Sequence, residues 1–120
     1  MKATDLMIGD LLLYKGQPIK VEEILIDGIN PDWDGNENYG NEARYEDLQP
    51  IPITPEILKK NGFKYSEWYG WQIKEPDFTL CFVGDTPHFL LDDIFVCDCP
   101  YVHTLQHALK LCGIEKKIVL

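Results

Sequence analysis

Apolar and polar residues alternate in short stretches through the first half of the chain. Leu6–Asp10 reads as an entry arm with a glycine turn, and Leu11–Tyr14 as a strand. Lys15-Gly16-Gln17 is a tight turn in which Gly16 takes a positive φ. Ile19–Ile26 is a second strand, with Ile19, Val21, Ile24 and Ile26 directed inward and a bulge at Glu22-Glu23. A loop begins at Gly28-Ile29 and runs through Gly40, and Glu42–Leu48 forms a third strand. Short strands joined by hairpins predict a small, partly open SH3-like curled sheet over residues 1–50.

The alternation stops at a strap. Pro50, Pro52 and Pro55 donate no backbone hydrogen bond, and each forces the preceding residue into extended geometry. Thr54 then reads as an N-cap, with Pro55 at the first helical position and Glu56 against the positive helix end. Gly62 reads as the left-handed residue after a short helix over 55–61, with Phe63 folding back onto Leu58. The second half continues as a meander. Tyr65–Lys74 reads as one strand and Phe78–Val83 as another, turned at Gly84-Asp85-Thr86-Pro87. His88–Leu91 and Ile94–Cys97 follow. Pro100 introduces a second helix over about Tyr101–Cys112, ending at Gly113, with Val102, Leu105, Ala108, Leu109 and Cys112 on one face. The tail Lys116–Leu120 reads as a last edge strand. The expected fold is α+β: the curled antiparallel sheet (1–50), then helix, antiparallel meander and C-terminal helix (54–120), within a single domain of 120 residues.

Three pieces carry a resemblance: Ile8-Gly9-Asp10 with Tyr14-Lys15-Gly16; Leu48-x-Pro50-Ile51-Pro52-Ile53-Thr54-x-Glu56-Ile57-Leu58 with Gly62-Phe63; and Val102-His103-x-Leu105-Gln106. Together they resemble a family of small uncharacterised proteins of gut Bacteroidales and their phages or mobile elements. The middle, 64–99, resembles nothing nameable. The resemblance implies a scaffold and a phage or mobile-element source, and no activity.

Charge narrows the partner. The net charge is −9, and the segment from Asp27 to Asp47 contributes −6 of it, with seven acids against Arg44 alone. Such a surface repels a phosphate backbone, so nucleic acid is not the expected partner. The apolar run Leu11–Tyr14 is too short for a secretory leader or a membrane span, which predicts a cytoplasmic protein with its four cysteines as thiols.

Several patterns invite a chemical reading. Cys97-x-Cys99-x3-His103-x3-His107 carries a zinc-type ligand set, but Cys-x-Cys is tighter than the usual spacing, and both histidines fall roughly opposite the apolar stripe, on a solvated face. Cys97 and Cys99 also sit too close on an extended strand to bridge each other comfortably. Asp32-x-Asp34-x-Asn36 starts a calcium loop that then fails at Glu37 and Ala43. No metal and no cofactor is expected. His88 and the cysteines stand outside any nucleophile motif, no phosphate or dinucleotide fingerprint is present, and the chain does not read as an enzyme. Trp68 falls on the polar side of strand 65–74, with Ser66, Gly70, Gln72 and Lys74, and Trp33 lies in the loop. The expectation is a binding module whose protein or peptide partner, basic in charge, contacts Asp32, Trp33, Asp34, Tyr39 and Trp68. The alternatives are a small-molecule or metal-sequestering protein and, further off, an acidic mimic of nucleic acid.

Overall fold

The structure, a computed structural model, describes residues 1–32, 42–68, 70–75, 79–83, 88–92 and 94–120, with backbone alone at 82 and 83. Among them the chain forms two five-stranded antiparallel sheets and two α-helices, an α+β fold. It divides into two compact units, Met1–Ile51 and Pro52–Leu120.

The first unit holds β1 (Leu11–Tyr14), β2 (Gln17–Ile24), β3 (Gly28–Asp32), β4 (Ala43–Arg44) and β5 (Leu48–Gln49), in the order β4-β3-β2-β1-β5. Tyr14 pairs with Gln17 across Lys15-Gly16, whose φ angles of 48° and 82° describe a type I′ hairpin turn. The expected bulge is present. Val21 faces Pro31 and Glu23 faces Asn30, so Glu22 has no opposite residue. Leu6, Leu12, Tyr14, Ile19, Val21, Ile29, Ala43 and Leu48 make the core. Asp10 is buried beside it for a local reason. Its carboxylate accepts from the Met7 N–H at 2.8 Å, while Gly9 N–H and Asp10 O bond to Val21 at 2.7 and 2.9 Å. The Ile8-Gly9-Asp10 arm is therefore stitched to β2.

Three expectations for this half are overturned. Gly28 opens a strand, not a loop. A Cβ there would sit 2.2 Å from the Ala43 carbonyl oxygen, so the glycine marks a close strand approach. Pro31, which has no N–H, is tolerated in β3 because among the described residues β4 pairs with Gly28 and Ile29 and not with Pro31. Ile26 does not point inward. It lies past the end of β2 and is 94% exposed, since the Leu25 N–H turns back to the Gly28 carbonyl at 2.8 Å. Glu42–Leu48 is not one strand. β4 and β5 lie at opposite edges of the sheet, and a single 3-10 turn, Tyr45–Asp47, carries the chain between them.

The second unit opens on α1 (Pro55–Lys60). Thr54 Oγ1 accepts from the Ile57 N–H at 3.3 Å. The Gly62 N–H reaches the Lys59 carbonyl at 3.1 Å and the Phe63 N–H the Leu58 carbonyl at 2.9 Å, a Schellman closure with Gly62 at φ 90°. Then β6 (Lys64–Ser66), β7 (Gly70–Lys74), β8 (Thr79–Val83), β9 (His88–Leu91) and β10 (Ile94–Asp98) form a plain meander, β10-β9-β8-β7-β6, before α2 (Val102–Leu111). Asp92 serves the β9–β10 turn at φ 50°, its carboxylate accepting from the Thr79 N–H at 2.8 Å. Register places Ile73, Leu80 and Leu91 on one face, and Ile73, Leu80 and Phe89 are buried there. α2 buries Val102, Leu105, Ala108 and Leu109, as its period predicts. The strap is held from the far end of the sequence: Pro52 bridges Tyr101, and the Ile53 N–H donates to the Pro100 carbonyl at 3.1 Å.

Two further expectations fail here. Tyr65–Lys74 is not one strand but the hairpin β6–β7, with Glu67-Trp68 in the turn. The tail is not an edge strand. The Asn61 side chain replaces a strand partner for it, donating to the Val119 carbonyl and accepting from the Val119 N–H, both at 2.8 Å. Asn61 also donates to the Ile57 carbonyl at 2.8 Å, and Ile118 is buried. No helix among the described residues is long and apolar enough to cross a membrane.

Candidate functional site

The β6–β7 hairpin presents the largest exposed aromatic of the described surface. Ser66 pairs with Gly70, and Gly70 at φ 71° is the left-handed residue that closes such a loop. The Trp68 N–H donates to Ser66 Oγ at 3.3 Å, which holds the turn. The Trp68 indole is left 88% exposed. It therefore projects from a turn rather than lying on the polar side of a strand. Tyr65 faces Trp71 across the hairpin with ring centroids 5.4 Å apart, and Tyr65 itself is exposed. β6 is an edge strand, so Tyr65 and Trp68 stand at the rim of the sheet.

The other expected contact residues are placed differently. Asp32 ends β3, is exposed and pairs with Lys20, its cross-strand neighbour, at 3.9 Å. So open a pair contributes little to stability. Trp33, Asp34 and Tyr39 lie outside the described residues, as does most of the Asp32-x-Asp34-x-Asn36 pattern. Asp32 and Trp68 belong to different units.

A second feature, missed in the sequence, is a cleft of about 1050 Å³ in the first unit, bounded by Tyr14, Lys15, Asp27, Glu42, Arg44 and Tyr45 among others. The 3-10 turn builds it. The Tyr45 hydroxyl donates to the Leu25 carbonyl and its N–H to the Asp27 carbonyl at 3.4 Å. Burial, then the carboxylates of Glu42 and Asp27, push the Tyr45 hydroxyl above its ordinary pKa. The Lys15 ammonium lies 5.2 Å over the Tyr14 ring, and Arg44 pairs with Glu46 at 3.9 Å in the open. The acids of residues 27–47 were legible; that two tyrosines stand among them depends on the turn, which gave no signal.

The cysteine and histidine cluster resolves into separate parts. His103 is not on a solvated face: it is 6% exposed, and the Tyr101 ring stacks over it, centroids 5.9 Å apart and 7° from parallel. His107 meets it edge-on at 5.6 Å. Cys97 and Cys99 bring their Sγ atoms within 3.5 Å. Burial, and next the Cys97 side chain, push the Cys99 thiol well above its usual range, while Thr104 acts in the opposite sense. His88 Nδ1 lies 2.5 Å from Asp98, and its ring meets Phe95. Register pairs Cys97 with Phe89 and Asp98 with His88, so the His88–Asp98 pair and Cys97 occupy opposite faces of the sheet. A base cannot serve a nucleophile from there. Among the described residues no three His, Cys, Asp or Glu side chains converge on a metal position.

No protein-family description matches the chain, and neither a curated protein nor a solved structure matches it significantly.

Proposed function

We propose that the protein is a non-enzymatic binding module that grips a protein or peptide through the Trp68 hairpin. The observation that supports this best is the 88% exposure of an indole on a hydrogen-bonded turn. An indole presents roughly 200 Å², and leaving it in water forgoes burial worth about 25 cal/mol per Å². Tyr65 at the same rim adds a second aromatic, and such residues supply a disproportionate share of interface energy. The net charge of −9 favours a basic partner over nucleic acid and speeds its encounter. In the first unit β5 returns to pair with β1, and that supports the SH3-like reading of its sheet. The resemblance to phage and mobile-element proteins adds a context to the proposal.

The test is affinity capture from host lysate with the wild-type chain and Trp68→Ala. Loss of the captured partner by about tenfold or more, with unchanged circular dichroism, is the expected outcome for an anchor residue. Retention of the same partner would place the contact elsewhere. A second reading rests on the Tyr14–Tyr45 cleft: tyrosine rings beside Asp27 and Glu42 suit a small organic cation. Saturable binding of a quaternary ammonium probe, weakened in Tyr45→Ala, would support that reading.

A further inference from the structure

Cys97 and Cys99 would not bridge comfortably if both lay on one continuous strand, but β10 stops between them. The register of β10 shifts between Phe95 and Cys97, and the strand ends at Asp98, so Cys99 has already left the sheet. The two Sγ atoms stand 3.5 Å apart, with Cys97 half-buried and Cys99 0% exposed. We propose that Cys97 and Cys99 form a reversible dithiol site that reacts with small organic disulfides and closes to an intramolecular Cys97–Cys99 disulfide.

Geometry permits the closure. Two residues of chain span at most about 7 Å, close to the upper limit for bridged Cα atoms. The sulfurs must approach to about 2 Å, which side-chain rotation can supply. No other cysteine competes. Cys112 lies beyond the ten-residue helix α2, about 15 Å of helix away from Cys99. Cys81 sits on β8, with β9 between it and β10, and its register partners place it on the face opposite Cys97.

Unequal access orders the reaction. Solvent reaches Cys97, so its thiolate attacks one sulfur of the small disulfide R–S–S–R. A mixed disulfide Cys97–S–S–R forms and RS⁻ leaves. Cys99 then gives its proton to solvent and attacks the Cys97 sulfur. The Cys97–Cys99 bond forms and the second RS⁻ departs. Two protein thiols become one disulfide while one small disulfide becomes two thiols, and the thiolates take up the protons released. Burial holds the Cys99 thiol in its neutral form, so the second step is the slow one and quickens as pH rises.

The experiment treats the native wild-type chain with excess oxidised glutathione, blocks unreacted thiols with N-ethylmaleimide after denaturation, and maps every cysteine by mass spectrometry. The expected product carries the Cys97–Cys99 bridge with Cys81 and Cys112 alkylated, and dithiothreitol restores all four thiols. In Cys99→Ser a glutathione adduct at Cys97 should persist; in Cys97→Ser neither adduct nor bridge should form. Wild-type protein that ends with a lasting adduct at Cys97, with unmodified thiols, or with a bridge to Cys81 or Cys112 would overturn the proposal. The wild-type map decides even where a variant fails to fold. A urea-unfolded sample is the control: a bridge that closes no faster in the native chain than in the unfolded one would show that the fold builds no site.

Discussion

Gly28 and Gly62 are both glycines for steric reasons, and the reasons differ. Gly62 needs its φ of 90°, which a helix end followed by a hydrophobic residue announces in sequence. Gly28 needs the space that the Ala43 carbonyl takes, a contact made only after β3 and β4 pair. The first was legible because its cause is local. The second read as the start of a loop because its cause lies fifteen positions away. Gly28→Ala should destabilise by about 1–3 kcal/mol, as expected for overpacking, measured by urea unfolding. Gly62→Val should cost ~1 kcal/mol or more through its strained φ, since nothing lies within 4 Å of the added Cβ. A Gly28→Ala variant as stable as wild type would mean that β4 does not approach β3 so closely. Asn61 is a third case. Its amide makes hydrogen bonds to Ile57 and Val119, and nothing in the local sequence marks it. Asn61→Ala should cost about 1–3 kcal/mol and speed hydrogen exchange at Val119. Unchanged exchange there would show that the tail is held by Ile118 instead.

Elements were legible where their ends carry side-chain signals. α1 has Thr54, Pro55 and Gly62 within nine residues, and its observed limits differ from the expected helix by one residue. Thr54→Ala should therefore lower stability by ~1 kcal/mol, while Thr54→Ser should be nearly silent. Equal loss in both would point to packing rather than capping. The β6–β7 hairpin lacked such signals. Glu67-Trp68 is an unusual turn pair, and the alternation of Tyr65, Trp71 and Ile73 continues across it with the period of one strand. Gly70 was the available clue, since a glycine after a three-residue gap closes a hairpin loop. The error bears on the candidate site. A strand would have given Trp68 neighbours on a sheet face, whereas a turn lifts it off that face to the rim. Trp68→Ala should accordingly change stability by less than about 0.5 kcal/mol, the range of ordinary surface substitutions. A larger loss would show that the indole supports the hairpin, and would weaken its reading as a binding anchor. His103 shows the converse. Helical period put it opposite the core, but the Tyr101 ring, one residue before the helix, covers it, and a helical wheel does not represent such a cap.

At the scale of the whole molecule the acidic excess was plain from composition, while the groups whose titration the fold shifts were not. Among the described residues these include Cys99 and Tyr45. Both have pKa values raised by the fold, Cys99 by burial and then by Cys97, Tyr45 by burial and then by Glu42 and Asp27. Both acids are neutral when protonated. Below its ordinary pKa each is protonated folded and unfolded, and its contribution to stability is fully present. Above that value the unfolded chain releases the proton first and binds fewer protons than the native state, so stability falls as pH rises. The loss begins near 9.0 for Cys99 and near 10.0 for Tyr45. Urea midpoints under reducing conditions should be flat from neutrality to about pH 9 and fall beyond it. The negative charge of the molecule also grows in this range as lysines lose protons, and self-repulsion would lower stability as well. Cys99→Ala separates the two causes. It removes the thiol and leaves the lysines, so the fall should start later, nearer 10.0, where Tyr45 takes over. Closing the Cys97–Cys99 disulfide should delay the fall in the same way, because a disulfide sulfur carries no titrating proton. A decline that begins at the same pH in wild type, in Cys99→Ala and in the oxidised chain would assign the alkaline limb to net charge and leave Cys99 without a part in it.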